Sequence, residues 1–231
     1  MSNEPSAEDA WLQQLLELGE SGKAMTEKQL KIVQAAIEIF SVKGYSAAST
    51  SEIAQKAGVA EGTIFRHYKT KKDLLLSIVG PTMAKLVAPF VLRDFTPVLE
   101  ARYAGYDDFL RALVRNRLVF VRRHLPVIRI LMQEIPFQTE LREEFKAVLM
   151  REVYVRVEKV IHHFQAQGQL IALPAFTVVR LTVSVVVGFL ITRFMLFPEL
   201  DWDEEEELEI CVNFIMHGLS AGSRGKEQPP C

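Results

Sequence analysis

The chain has 231 residues, 49% of them hydrophobic and 24% charged, and carries a formal net charge of −2. That suits one large domain or a small one joined to a medium one, with enough apolar residues for a sizeable core. Two cysteines, Cys211 and Cys231, exclude a disulfide framework, and no charged segment leading into an apolar run opens the chain, so no signal peptide is read and a cytoplasmic protein is expected. The charge is uneven. Residues 25–80 hold eight basic and five acidic side chains, a net +3, which leaves −5 for the remainder. A basic head on an acidic body attracts phosphate at one end only.

Helical periodicity runs through the sequence and no alternating strand is found, so an all-α protein is expected. Ser6 is placed to cap a first amphipathic helix with Trp11, Leu12, Leu15 and Leu16 on one face. Thr26-Glu27-Lys28-Gln29 reads as a capping box, followed by an apolar face of Ile32, Val33, Ala36, Ile37 and Phe40 that stops at Gly44. Ser49-Thr50-Ser51-Glu52 is a second capping box, opening a short helix that stops at Gly58. A further short helix starts at Glu61, and Leu74, Leu75 and Ile78 mark a fourth. Two short helices separated by a glycine-containing turn are the signature of a helix-turn-helix.

Beyond residue 80, prolines punctuate the chain, and Pro126 and Pro174 suit the first turns of new helices. Helices are predicted near 71–88, 106–124, 126–135, 138–167, 175–197 and 203–220. The last ten residues, 222–231, lack apolar periodicity and are expected to be disordered. The most apolar stretch, 176–197, carries Arg180 and Arg193. About a dozen residues lie between them, too few for a bilayer, so no membrane is expected and a buried interface helix fits better.

The residues Ala35-Ala36, Phe40, Gly44-Tyr45, Ile53-Ala54, Ala57-Gly58-Val59, Gly62-Thr63-Ile64-Phe65, Arg66-His67-Tyr68 and Lys71-Lys72-Asp73-Leu74 occur in an order that closely resembles the DNA-binding region of the TetR family. The resemblance covers Ile32 to Leu76, roughly a fifth of the chain. It implies an N-terminal three-helix, helix-turn-helix DNA-binding domain followed by a larger helical ligand-binding and dimerisation domain. On that basis residues 1–24 form a helical extension, 25–72 the DNA-binding domain, 73–221 the second domain and 222–231 the tail. Three positions depart from the family pattern. Phe65 stands where tyrosine is usual, Tyr68 where phenylalanine is usual, and Ala60 cannot cap the recognition helix as serine or threonine would.

In a helix-turn-helix the second helix enters the major groove and the first crosses the backbone. Thr63, Arg66 and His67 are the polar outward residues of that second helix, and Gly62 lets its start come close to the duplex. Arg66 can bond guanine O6 and N7 with two parallel N–H groups, which separates bases by about 1–3 kcal/mol. Lys71, Tyr68, Ser49 and Thr50 are the expected phosphate contacts. The expected partner is a double-stranded DNA operator.

For the second domain the resemblance implies a homodimer through the last two helices, here 175–197 and 203–220. Val186 and Ile215 are among the residues that could cover that surface. An effector pocket is expected from Phe109, Leu113, Phe120, Ile128, Met132, Phe137, Phe145, Tyr154 and Phe189; few charges fall on those faces, so an apolar small molecule is expected. The acidic run Glu204 to Glu207 reads as a solvated cap on a helix start. His162 and His163 project about 100° apart on a helix and make a poor ligand pair. No metal site or cofactor is expected. Without a glycine-rich phosphate loop, a metal cluster or a nucleophile beside a base, an enzyme is not expected either. The rival reading is a helical lipid-binding or scaffold protein whose helix-turn-helix is only structural.

Overall fold

A computed structural model describes residues 26–81 and 92–219. The helix expected from Ser6, Pro89 with the end of the helix expected at 71–88, and the tail 222–231 lie outside them. Among the described residues there are ten α-helices and no strand. They are α1 Glu27–Lys43, α2 Thr50–Ala57, α3 Glu61–His67, α4 Lys71–Pro81, α5 Leu92–Glu100, α6 Tyr106–Glu134, α7 Thr139–Val148, α8 Val155–Ala166, α9 Ala175–Ile191 and α10 Glu204–Leu219. A π-helical segment, Leu149–Tyr154, joins α7 to α8, and another, Thr192–Leu196, extends α9. The described chain divides into two compact units. One holds 26–81 with Arg123–Leu149, the other Leu92–Arg122 with 150–219.

Local chemistry accounts for the first unit. Thr26 and Gln29 exchange bonds at the start of α1, and Ser49 and Glu52 do the same for α2, so orphan N–H groups at both starts are satisfied. Thr70 and Asp73 reciprocate at α4, each backbone N–H reaching the other side chain at 3.0 Å. Ala60 precedes α3 without a side-chain cap. Gly58 ends α2 in the left-handed conformation, φ 66°, where a Cβ would meet no neighbouring atom. The glycine is therefore needed for its backbone alone, since an L side chain there costs about 1–2 kcal/mol. Ile32, Val33, Ala36, Ile37 and Phe40 bury their common face against Ile53, Ala54 and Ile64, with Leu74, Leu75 and Ile78 buried in α4. Phe40→Ala would remove the largest of these and cost about 3–5 kcal/mol.

The 106–124 and 126–135 segments are one kinked helix rather than two. Pro126 lies inside α6, and His124 leaves helical geometry at φ −115°, ψ 19°. Proline removes the donor for the carbonyl four residues back and crowds it, so the helix bends without stopping. Past the bend, Val127, Ile130 and Leu131 are buried in the first unit together with Leu141 of α7. No helix is predicted between those near 71–88 and 106–124, yet α5 forms there with Pro97 inside it. Phe95 and Leu99, one turn apart, are both buried, and that burial offsets the bond Pro97 removes.

In the second unit the core is built on Tyr106, which is 1% exposed. Its ring lies 5.6 Å from those of Phe109 and Phe164, and its hydroxyl is 3.4 Å from that of Thr182. Burial pushes its phenol above the ordinary range. The acidic start of α10 is more than a solvated cap. Arg111 reaches Glu209 at 2.8 Å and Asp107 at 2.7 Å, Arg115 reaches Glu205 at 2.7 Å, and Arg122 reaches Glu204 at 2.6 Å. Arg193 joins Glu204 at 3.2 Å. The arginines recur along α6, so the ladder ties that helix to α10 at several levels.

Candidate nucleic-acid interface

The α2–turn–α3 corner is held from within. Val59 N–H bonds the Ala54 carbonyl at 3.0 Å across the Gly58 turn, and Thr63 N–H bonds the Ala60 carbonyl at 2.8 Å. The Thr50 hydroxyl donates to Glu61 at 2.5 Å, tying the starts of the two helices together. Ser49 accepts from Glu52 N–H at 3.1 Å, while its own hydroxyl lies 3.3 Å from the Glu52 carboxylate. Lys43 donates to that carboxylate at 2.6 Å and, with the Ser49 backbone, holds it below the usual range.

On α3, Ile64 points inward at 1% exposure, while Gly62, Phe65, Arg66 and His67 are exposed and Thr63 is half-buried. Arg66 and His67 form no ion pair with a described residue. Positions three and four apart share a helix face, so Gly62, Thr63, Arg66 and His67 form one outward row. Phe65, 48% exposed, stands beside them. Sequence reasoning treated Phe65 only as a missing hydroxyl. Its exposure leaves an apolar ring beside the polar row.

The other expected phosphate contacts are engaged or buried. Tyr68 is 6% exposed, so its ring belongs to the core and not to the outward row. Lys71 donates to the Tyr45 carbonyl at 2.7 Å and the Ala48 carbonyl at 2.8 Å, and its ammonium lies 4.4 Å from the centre of the Tyr45 ring. It clamps the 45–48 loop. Ser49 and Thr50 use their hydroxyls as described. The capping role of Ser49 was legible, and a hydroxyl spent on a cap is less available to phosphate.

The expected effector residues are divided between the two units. Ile128, Met132, Phe137 and Phe145 belong to the first unit, and Phe109, Leu113, Phe120, Tyr154 and Phe189 to the second. Phe137 is 82% exposed in the turn after α6, with Met132 exposed as well. Phe109 and Phe189 are buried, the first within the Tyr106 cluster. Leu113, Phe120, Ile128, Phe145 and Tyr154 are half-buried, and the Tyr154 hydroxyl donates to Glu158 at 2.9 Å. No group of three or more metal-ligating side chains occurs among the described residues.

Fold and corner together define a helix-turn-helix head on an all-helical body. The model of the bacterial regulatory proteins of the tetR family matches residues 32–78. The fatty acid metabolism regulator protein of Bacillus subtilis (strain 168) is 37% identical over 65 residues, which span 28% of this chain and 34% of that one. The transcriptional regulator AcrR of Shigella flexneri is 26% identical over 200 residues, spanning 82% and 88%. The crystal structure of the regulator FadR from Bacillus subtilis in complex with stearoyl-CoA shares the fold, with a TM-score of 0.61 at 20% identity over 82% of this chain and 98% of that one. The matched regions span between a third and about half the length of the first three curated relatives. The match to that family is thus carried by residues 32–78, the helix-turn-helix region, and the rest of the chain shares the fold of these regulators.

Proposed function

We propose that the chain is a DNA-binding transcriptional regulator, a repressor that leaves a pseudo-palindromic operator when an apolar small molecule binds its helical body. The observation that carries this reading is the outward row of α3, where Thr63, Arg66 and His67 are presented to solvent beside Phe65 on a corner fixed by internal bonds. Rigid placement of unspent donors is what base readout requires, because each contact must arrive in register. Selection of binding sites from random duplexes tests it. An enriched palindrome supports the reading, and retention of DNA without sequence preference sinks it.

A homodimer is part of the proposal. Val183 and Val187 of α9 and Ile210 and Phe214 of α10 are large apolar residues left 40–69% exposed. A second copy would cover them in a four-helix contact, and two heads would read half-sites about one DNA turn apart. The body's ligand is assigned to apolar, acyl-like chemistry, supported by the regulator of the same fold that was solved with stearoyl-CoA. A cytoplasmic place follows from these roles.

One observation favours a second reading. Ala175–Leu196 is a 22-residue helix of mean hydropathy 2.0, long and apolar enough by length and composition to cross a bilayer, whatever the spacing of its arginines suggested. A lipid-binding protein would use that face on vesicles, so flotation with liposomes separates it from a DNA-bound dimer.

A further inference from the structure

A cavity of about 260 Å³ lies in the first unit, where α6 departs from helical geometry beside α1 and α2. Its walls combine the buried Ile37 and Val127 with the imidazole of His124, which is 6% exposed. Val42, 79% exposed, and the exposed Arg123 stand at its rim. None of the expected effector residues lines it.

Charge and size narrow the occupant. Lys56 and Glu38 both line the cavity and pair with each other at 2.6 Å, so their charges cancel locally. Arg123 forms no ion pair with a described residue, which leaves the rim one positive charge in excess. At roughly 30 Å³ per water, the volume equals about nine waters. That lies below the range of about 300–1,000 Å³ common for drug-sized ligands and is too small for a long acyl chain.

We infer that this cavity is a binding site for a small organic anion, a carboxylate on an aromatic or short apolar body. The apolar part sits against Ile37, Val127 and Pro126, and the carboxylate meets Arg123 at the rim, with the His124 ring, Gln34 and Ser41 as polar groups of the wall. Arg123 suits this role because its planar fork matches a carboxylate. The site goes beyond the proposed operator and acyl-type effector and depends on neither.

Benzoate, with nine heavy atoms, is the probe, and benzyl alcohol is its uncharged counterpart. Both are titrated into the full chain and followed by amide NMR shifts and calorimetry. Benzoate is expected to saturate one site per chain, shift amides of 37–42 and 123–127, and bind about tenfold tighter than benzyl alcohol, the size of one charge-assisted hydrogen bond. Arg123→Gln should bring benzoate down to the alcohol's affinity. Val42→Trp should obstruct both ligands, and its exposed position leaves the core intact. The inference is overturned by no saturable shift, by shifts confined to other residues, by equal affinity for the two probes, or by undiminished binding in Val42→Trp. DNA does not enter the measurement, so its failure is separate from failure of the operator reading.

Discussion

Arg66 and Lys71 are both basic and both close to the turn, yet they are held differently. Arg66 is exposed on α3, whereas Lys71 is half-buried against two carbonyls and an aromatic ring. Arg66→Ala should leave thermal stability unchanged and relax specificity at particular base pairs by about 1–3 kcal/mol. Lys71→Ala should destabilise the head by about 1–3 kcal/mol, since it removes charge-assisted bonds that tie down residues 45–48. It should also weaken binding to all sequences alike. Denaturant unfolding together with operator-variant binding measures both effects. If Lys71→Ala lowered affinity at full stability, and flattened the salt dependence by about one unit of log–log slope, its ammonium would be a phosphate contact after all.

At the scale of elements, α9 and α10 each have one face buried in their own unit and another open. Val186 and Ile215 are 5% and 4% exposed, so a charge there strikes the protomer's own core. Val183 and Phe214 lie on the open face. Val183→Asp or Phe214→Asp should therefore give a folded monomer that has lost operator binding, while Val186→Asp should give unfolded protein. Sedimentation alongside circular dichroism distinguishes these results, and a folded dimer in Phe214→Asp would move the interface elsewhere. The ladder from α6 to α10 makes a second prediction. Arg115 beside Glu205, and Arg111 beside Asp107, hold those carboxyls below their ordinary values through hydrogen bonds first and charge second. A lowered folded pKa contributes stability that is present above the unfolded pKa and lost as pH falls through the folded one. Melting temperature should thus fall between about pH 5 and about pH 3, and Arg115→Gln should make that fall shallower. An unchanged profile in the variant would show that the ladder does not carry the acid response. The Arg115–Glu205 pair is exposed and the Arg111–Asp107 pair half-buried, so salt should shrink the first contribution more than the second.

For the whole molecule, the proposed switch is a linkage between effector and operator. An effector releases DNA only through its preference for the form that binds DNA poorly, and operator must weaken effector binding by the same factor, typically about 5–150-fold. Titrating acyl compounds against the DNA-bound protein should lower operator affinity while the dimer mass stays constant. Leu113→Trp, at a half-buried position of α6, should blunt the response and leave operator binding intact. Release of DNA by splitting of the dimer would rule out this route.

What the sequence determined by itself is what neighbouring residues decide among themselves. Thr26 with Gln29, Ser49 with Glu52, and the left-handed turn at Gly58 are built within a few residues of chain, and the apolar spacing of α1 names its buried face. The helix-turn-helix was legible for that reason. Tertiary structure alone decided the rest. Whether Pro126 starts a helix or bends one depends on what 123–131 pack against, and the return of that segment to the unit of α1 has no local signal. Lys71, Tyr68 and Thr50 were read by residue type, yet distant carbonyls, the core and Glu61 fix what each side chain does. Burial and ion pairing join residues tens of positions apart, as Arg115 and Glu205 are, and their energies exist only once the chain has brought those residues together.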